Sequence, residues 1–215
     1  MTITPRLPSI APYPLPDEGE WPASRAPWPF EPARAALLVH DMQGYFVDAF
    51  VAGSDPIQGA IANIARLLAA ARANGIPVFY TAQHGDQLPA DRGLQKDLWG
   101  PGMRHLPAQQ RIIAALQPEA GDLLLVKHRY SAFQRSNLES LLRARGRDQL
   151  LITGIYAHIG CLQTAGDAFQ RDVRPFFVAD AVADFSRHWH DMALSYIADC
   201  SGVVCSAKQL IEKLT

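Results

Sequence analysis

Gln149 to Asp180 read QLLITGIYAHIGCLQTAGDAFQRDVRPFFVAD. Two apolar runs, QLLITG (Gln149 to Gly154) and PFFVAD (Pro175 to Asp180), flank a stretch with helical character from about Leu162 to Arg171. Short continuous apolar runs bounded by turn signals read as strands buried on both faces. A strand, a helix and another strand in succession make a crossover unit, whose two strands run parallel. The same rhythm extends outward through AALLV (Ala35 to Val39), PVFYTA (Pro77 to Ala82), LLLV (Leu123 to Val126) and GVVCS (Gly202 to Ser206). Between these runs, IQGAIANIARLLAAARANG stops at Gly75. SNLESLLRARG has Ser136 and Glu139 at capping-box spacing and stops at Gly146. Helices are also predicted from His190 to Cys200 and from Ala207 to Leu214. The fold class that follows is α/β in three layers: a mainly parallel six-stranded sheet with helices on both faces.

The bulk numbers narrow the possible partners. A chain of 215 residues fits one domain with a real core. A net charge of -1 and 48% hydrophobic residues argue against a nucleic-acid footprint, a membrane-surface patch or disorder. No apolar run reaches the roughly 18 to 20 residues that span a bilayer, and the N-terminus lacks a signal-peptide pattern, so a cytoplasmic location is expected. Three cysteines, an odd number, read as free thiols rather than a disulfide framework. Half of the 16 prolines lie between Pro5 and Pro29. Residues 1–30 are therefore expected to form an extended arm, draped over the body or gripping a neighbouring subunit, with 31–215 as the single domain.

In an open parallel sheet the ligand crevice lies beyond the carboxyl ends of the strands. Those ends carry HDMQ (His40 to Gln43), TAQH (Thr81 to His84), KHRY (Lys127 to Tyr130) and GIYAHIGC (Gly154 to Cys161). Asp41 would emerge at the edge of a dry core and Lys127 would share its rim. An aspartate there also commonly turns the chain, and a lone lysine commonly reaches for solvent. Together with the backbone turn after the fourth strand they make a candidate site.

These segments carry a resemblance. HDMQ, TAQ followed by RGLQKDLWGPGM, KHRYSAF, GIYAHIGC and DAFQRDVRPFFVADAVADFS, in that order, resemble the isochorismatases of the cysteine-hydrolase superfamily, whose fold is Rossmann-like. In the amidase branch of that superfamily the nucleophilic cysteine takes the slot that falls here on Gly160. Cys161 stands one residue later, turned about 100° if the helix is regular. It is expected to pack in the core, as are Cys200 and Cys205. A glycine in the slot would leave room for a bulky ring.

The resemblance implies hydrolysis of the enolpyruvyl vinyl ether of isochorismate, in siderophore or dihydroxybenzoate-type metabolism. Asp41 would act as general acid with Lys127 beside it. Burial would raise the Asp41 pKa and the ammonium would lower it, and the sequence leaves the sign open. Arg92 is the candidate cation for a substrate carboxylate, and Gln83 the candidate amide. Tyr156 and Gly160 would bound one side, with Phe46 and Trp99 as apolar walls. No cofactor is expected: His188 and His190 near Asp184 fall short of a zinc ligand set and read as surface or helix-entry residues, and the loop GSDPIQG has no histidine.

Two rival readings stand beside this one. The phenazine-type relative hydrolyses 2-amino-2-deoxyisochorismate by the same chemistry, and a docking module for a carrier protein would need no turnover. His128 stands where relatives usually have Trp, so the wall beside Lys127 is altered or the imidazole faces away. A homodimer is implied, and with no carrier domain before Thr215 any aryl carrier protein would act in trans.

Overall fold

The computed structural model describes residues 7–214. Six strands, β1 Ala35–His40, β2 Val78–Ala82, β3 Leu123–Val126, β4 Gln149–Ile155, β5 Arg174–Ala183 and β6 Val203–Cys205, form one sheet. Its order is β3-β2-β1-β4-β5-β6, and every pairing is parallel. The chain moves to one side of β1 for β2 and β3, then crosses back for β4. The order therefore reverses between β1 and β4, where an open sheet forms its crevice.

Alternation along the strands explains the two layers of helices. Leu37 and Val39 of β1 belong to one buried cluster with Ile64 and Leu67 of the Ile57–Ala73 helix. Ala36 and Leu38 belong to the other, with Leu138 and Leu142 and with Ala193 and Leu194 of the Arg187–Cys200 helix. Each large aliphatic side chain buried this way contributes about 1.5–3 kcal/mol. The Ile57–Ala73 helix buries Ile57, Ala60, Ile64, Leu67, Leu68 and Ala71, a stripe at helical spacing. Gly75 and Gly146 follow their helices with φ of 64° and 62°, the left-handed stop expected of them.

Several expectations need correction. The helix after Ser136 begins at Leu138 with Asn137 as its N-cap. Ser136 therefore sits one residue too early for a capping box, and its hydroxyl bonds Ala132 O and Leu138 N instead. β3 is an edge strand, so Leu124 and Val126 are exposed and the run is not buried on both faces. The Leu162–Phe169 helix is entered through a π-helical turn, Ala157–Cys161, wider than the regular turn assumed for Cys161. Cys161 and Cys205 are buried, but Cys200 lies exposed at the last turn of its helix, with Sγ against Tyr196 O. His190 is fully buried, between Ala179 O and Tyr13 Oη, whereas His188 is exposed.

The first six residues of the arm lie outside the described residues. From Leu7 to Phe30 the arm lies on its own body. Ile10 bridges Phe50, Asp184 N donates to Tyr13 Oη at 2.8 Å, and Trp28 stacks on Phe169. Among the described residues no helix is long and apolar enough to cross a membrane.

Candidate active site

Asp41 follows β1 directly, with a φ of 51° that a side chain rarely adopts. Backbone of this kind persists where its surroundings over-determine it, commonly at functional sites. The surroundings here are polar and close. Thr81 Oγ1 donates to Asp41 Oδ1 at 2.6 Å and accepts from Asp41 N at 3.1 Å. Lys127 Nζ donates to Oδ2 at 2.6 Å, and Gln83 Nε2 to the same oxygen at 3.3 Å. Asp41 and Lys127 are each 4% exposed. Burial by itself would raise the Asp41 carboxyl, but the Lys127 ammonium and the hydrogen bonds from Lys127 and Thr81 outweigh it and hold the group below the usual carboxylate range. The direction left open by the sequence is downward, which favours the ionised carboxylate beside Lys127.

Arg92 comes from the short helical turn Pro89–Arg92 and is 6% exposed. Its Nε donates to Gly100 O at 3.2 Å and Nη1 to Gln83 Oε1 at 3.1 Å. No carboxylate among the described residues pairs with it, and burial lowers its pKa. A desolvated guanidinium suits a planar anion, which it can meet with two parallel hydrogen bonds. Gln83 thus links the two ends of the cleft, touching Asp41 with its amide nitrogen and Arg92 with its amide oxygen.

The cleft holds a small cavity of ≈ 50 Å³ that opens to solvent. All eight residues singled out from the sequence line it: Asp41, Lys127, Gly160, Gln83, Arg92, Tyr156, Phe46 and Trp99. Its aromatic side is a connected wall. Tyr156 meets Phe46 edge-on at 6.1 Å and Phe185 at 4.4 Å, Tyr156 Oη donates to Phe46 O, and Trp99 Nε1 donates to Tyr130 Oη at 2.7 Å. Its charged lining is Asp41, Lys127 and Arg92, a net single positive charge.

Cys161 does not line this cleft. Its thiol is fully buried, 3.9 Å from Thr153 O, and burial pushes its pKa well up, which disfavours the thiolate a nucleophile needs. The room expected at Gly160 is absent in one direction, since a Cβ there would lie 2.2 Å from His40 Cε1. His128 is not part of the lining; its carbonyl accepts from Gln95 Nε2, while its Nδ1 is buried without a partner among the described residues. Asp184 takes His158 as its partner, Nδ1 to Oδ1 at 2.6 Å, not His188 or His190. The sequence reading missed Thr81, His40, Leu7 and Phe185. Thr81 stands beside His40 in the β1–β2 register, a pairing that only the structure sets.

Chemistry gathered in this way at the switch point of a doubly wound sheet marks an enzyme of the open α/β class. More narrowly, the chain belongs to the isochorismatase family, whose isochorismatase-domain profile matches residues 35–209. It is 51% identical over 208 residues to an isochorismatase of Bacillus subtilis, covering 97% of this chain and 67% of that one. It is 47% identical over 206 residues to the phenazine biosynthesis protein PhzD of Pseudomonas fluorescens, covering 95% and 98% respectively. Among solved structures it resembles a cysteine hydrolase from Pseudomonas syringae, with a TM-score of 0.79, 28% identity, and coverage of 90% of this chain and 97% of that one.

Proposed function

We propose that the protein hydrolyses the enolpyruvyl vinyl ether of isochorismate to pyruvate and 2,3-dihydro-2,3-dihydroxybenzoate. The observation that carries this reading is a buried carboxylate paired with Lys127 and linked through Gln83 to Arg92, a cation with no carboxylate partner among the described residues, in an aromatic cleft. Asp41, protonated in the complex, transfers its proton to the terminal methylene carbon and leaves an oxocarbenium ion. Water adds to that ion and returns a proton to the Asp41 carboxylate, and the hemiketal breaks to pyruvate and the ring diol. Lys127 orients Asp41 and offsets its charge, while Arg92 takes a substrate carboxylate in a bidentate fork. Gln83 adds a hydrogen bond, and Phe46, Trp99 and Tyr156 flank the ring above Gly160.

The second substrate to be tried is 2-amino-2-deoxyisochorismate, because the chain spans 98% of the phenazine relative. Pyruvate release, coupled to lactate dehydrogenase, is expected from the wild type and from Cys161→Ala alike, and the ratio of rates on the two substrates sets the preference. Loss of activity with Cys161, or no pyruvate from either substrate, would overturn the reading.

Exposed Leu124 and Val126 on the edge strand, with Leu94 and Leu98 also exposed, support a homodimer. Light scattering is expected to give about twice the 23.6 kDa chain mass, and a monomer mass would remove that inference. Three unpaired thiols support a cytoplasmic location.

A further inference from the structure

His40 is the last residue of β1, immediately before Asp41, and its side chain is fully buried. Its Nδ1 lies 3.1 Å from Ile155 O, at the end of β4, and 3.8 Å from Asp41 Oδ2. Backbone carbonyls accept, and the ring faces two of them, Ile155 O at Nδ1 and that of Tyr130, so the neutral ring donates to one of the two at a time. Nε2 faces Thr164 Oγ1 at 3.3 Å, and that hydroxyl donates to Gly160 O at 2.7 Å. Burial pushes the imidazole down to about 4, so the ring is neutral near pH 7. The ring thus joins four places: the end of β1, the end of β4, the turn that carries Gly160, and the segment after β3 that carries Tyr130.

The contact with Gly160 is the tightest of these. An ideal Cβ at position 160 would lie 2.2 Å from His40 Cε1 and 3.0 Å from both ring nitrogens. An imidazole with no exposed surface cannot step aside into solvent. A side chain at 160 would push the ring, and the ring is one residue from Asp41.

We propose that His40 is a positioning residue whose ring occupies the volume a side chain at 160 would require and holds the Asp41 carboxylate at a fixed distance from the Gly160 floor of the cleft. Positions 40 and 160 are then coupled in size: the large residue at one requires the small residue at the other. This rests on the vinyl ether reading for its kinetic consequence, but the size coupling itself does not depend on which substrate is turned over.

The test is a four-protein cycle of wild type, Gly160→Ala, His40→Asn and the double variant, read by thermal melting and by kcat and KM for pyruvate release. Asparagine keeps a donor at the place of Nδ1 and removes Cε1 and Nε2, the atoms that obstruct position 160. Gly160→Ala is expected to lower the melting temperature and to cut kcat about 100-fold with KM little changed, the scale on which a misplacement of about 1 Å acts. Adding His40→Asn is expected to restore at least about a tenth of the lost kcat and to raise the melting temperature above that of Gly160→Ala. If Gly160→Ala fails to fold, recovery of a folded double variant supports the pairing in the same way.

A double variant no better than Gly160→Ala in both readouts, or one that also fails to fold, would overturn the proposal, as would a loss confined to KM. Coupling in the melts with no turnover by the wild type would instead keep the pairing and overturn the proposed function.

Discussion

Asp41→Asn is expected to lower kcat by about 10³-fold while leaving KM within a few-fold of wild type, the scale of a positioned general acid. Asparagine preserves the shape of the side chain and an oxygen to accept from Lys127 Nζ, but it leaves that buried ammonium without its carboxylate, so a melt that shows the variant folded accompanies the kinetics. What it removes is the transferable proton. The free site favours an ionised Asp41, because the ammonium at 2.6 Å and the Thr81 hydroxyl outweigh the effect of burial. The charges change when a dianion enters. Two substrate carboxylates and Asp41 then face Lys127 and Arg92, one negative charge in excess, and protonation of Asp41 removes it.

Binding of an unreactive saturated ether analogue is therefore expected to take up about one proton per site near pH 7, a like-charge effect on the carboxyl. Calorimetry in two buffers of different ionisation heat measures this uptake, and Asp41→Asn is expected to abolish it. Because the acid must be protonated, kcat is fully expressed below the Asp41 pKa of the complex and lost as pH rises through it. Unchanged proton uptake in the asparagine variant would sink the assignment.

Lys127→Met is expected to be the most destabilising single change in the cleft. It leaves the Asp41 carboxylate 4% exposed and without its cation, and breaking a buried pair from one side costs about 3–5 kcal/mol. The pH dependence should also reverse. In the wild type the depressed Asp41 pKa contributes stability that is present above the ordinary carboxyl value and lost as pH falls through the folded value. Without Lys127, burial dominates, the folded pKa rises, and stability falls as pH increases through it. Urea melts at pH 5 and pH 7 should show the variant closer to wild type at pH 5, and Asp41→Asn/Lys127→Met should be more stable at pH 7 than Lys127→Met. Equal losses at both pH values would mean that the pair is not coupled as its geometry indicates.

Much of this arrangement is legible in the chain. The six apolar runs mark the six strands, and parallel order sends the residue after each run to one rim, which is why Asp41, Gln83, Lys127 and Gly160 meet. Arg92, Phe46, Trp99 and Tyr156 needed the family resemblance, since nothing in a loop arginine or a lone aromatic distinguishes a wall from plain core. Register and packing are harder to read. Thr81 and His40 look like ordinary strand ends until pairing sets them side by side, and the π-helical entry to Cys161 has no sequence signal of its own. The exposure of Leu124, Val126 and Cys200 depends on which strand ends at an edge and which way a helix's last turn faces. Composition carries neither fact.

Tyr13 and Asp184 meet across 171 residues of chain, and Leu7, farther up the same arm, helps line the cleft that Phe185 closes. The wall between them joins the chain's opening segment to residues emerging only after five of the six strands. Pairings so distant in sequence are slow to form. A growing chain thus carries Asp41 and Lys127 before the segment that brings Phe185 to the wall of their cleft has been made.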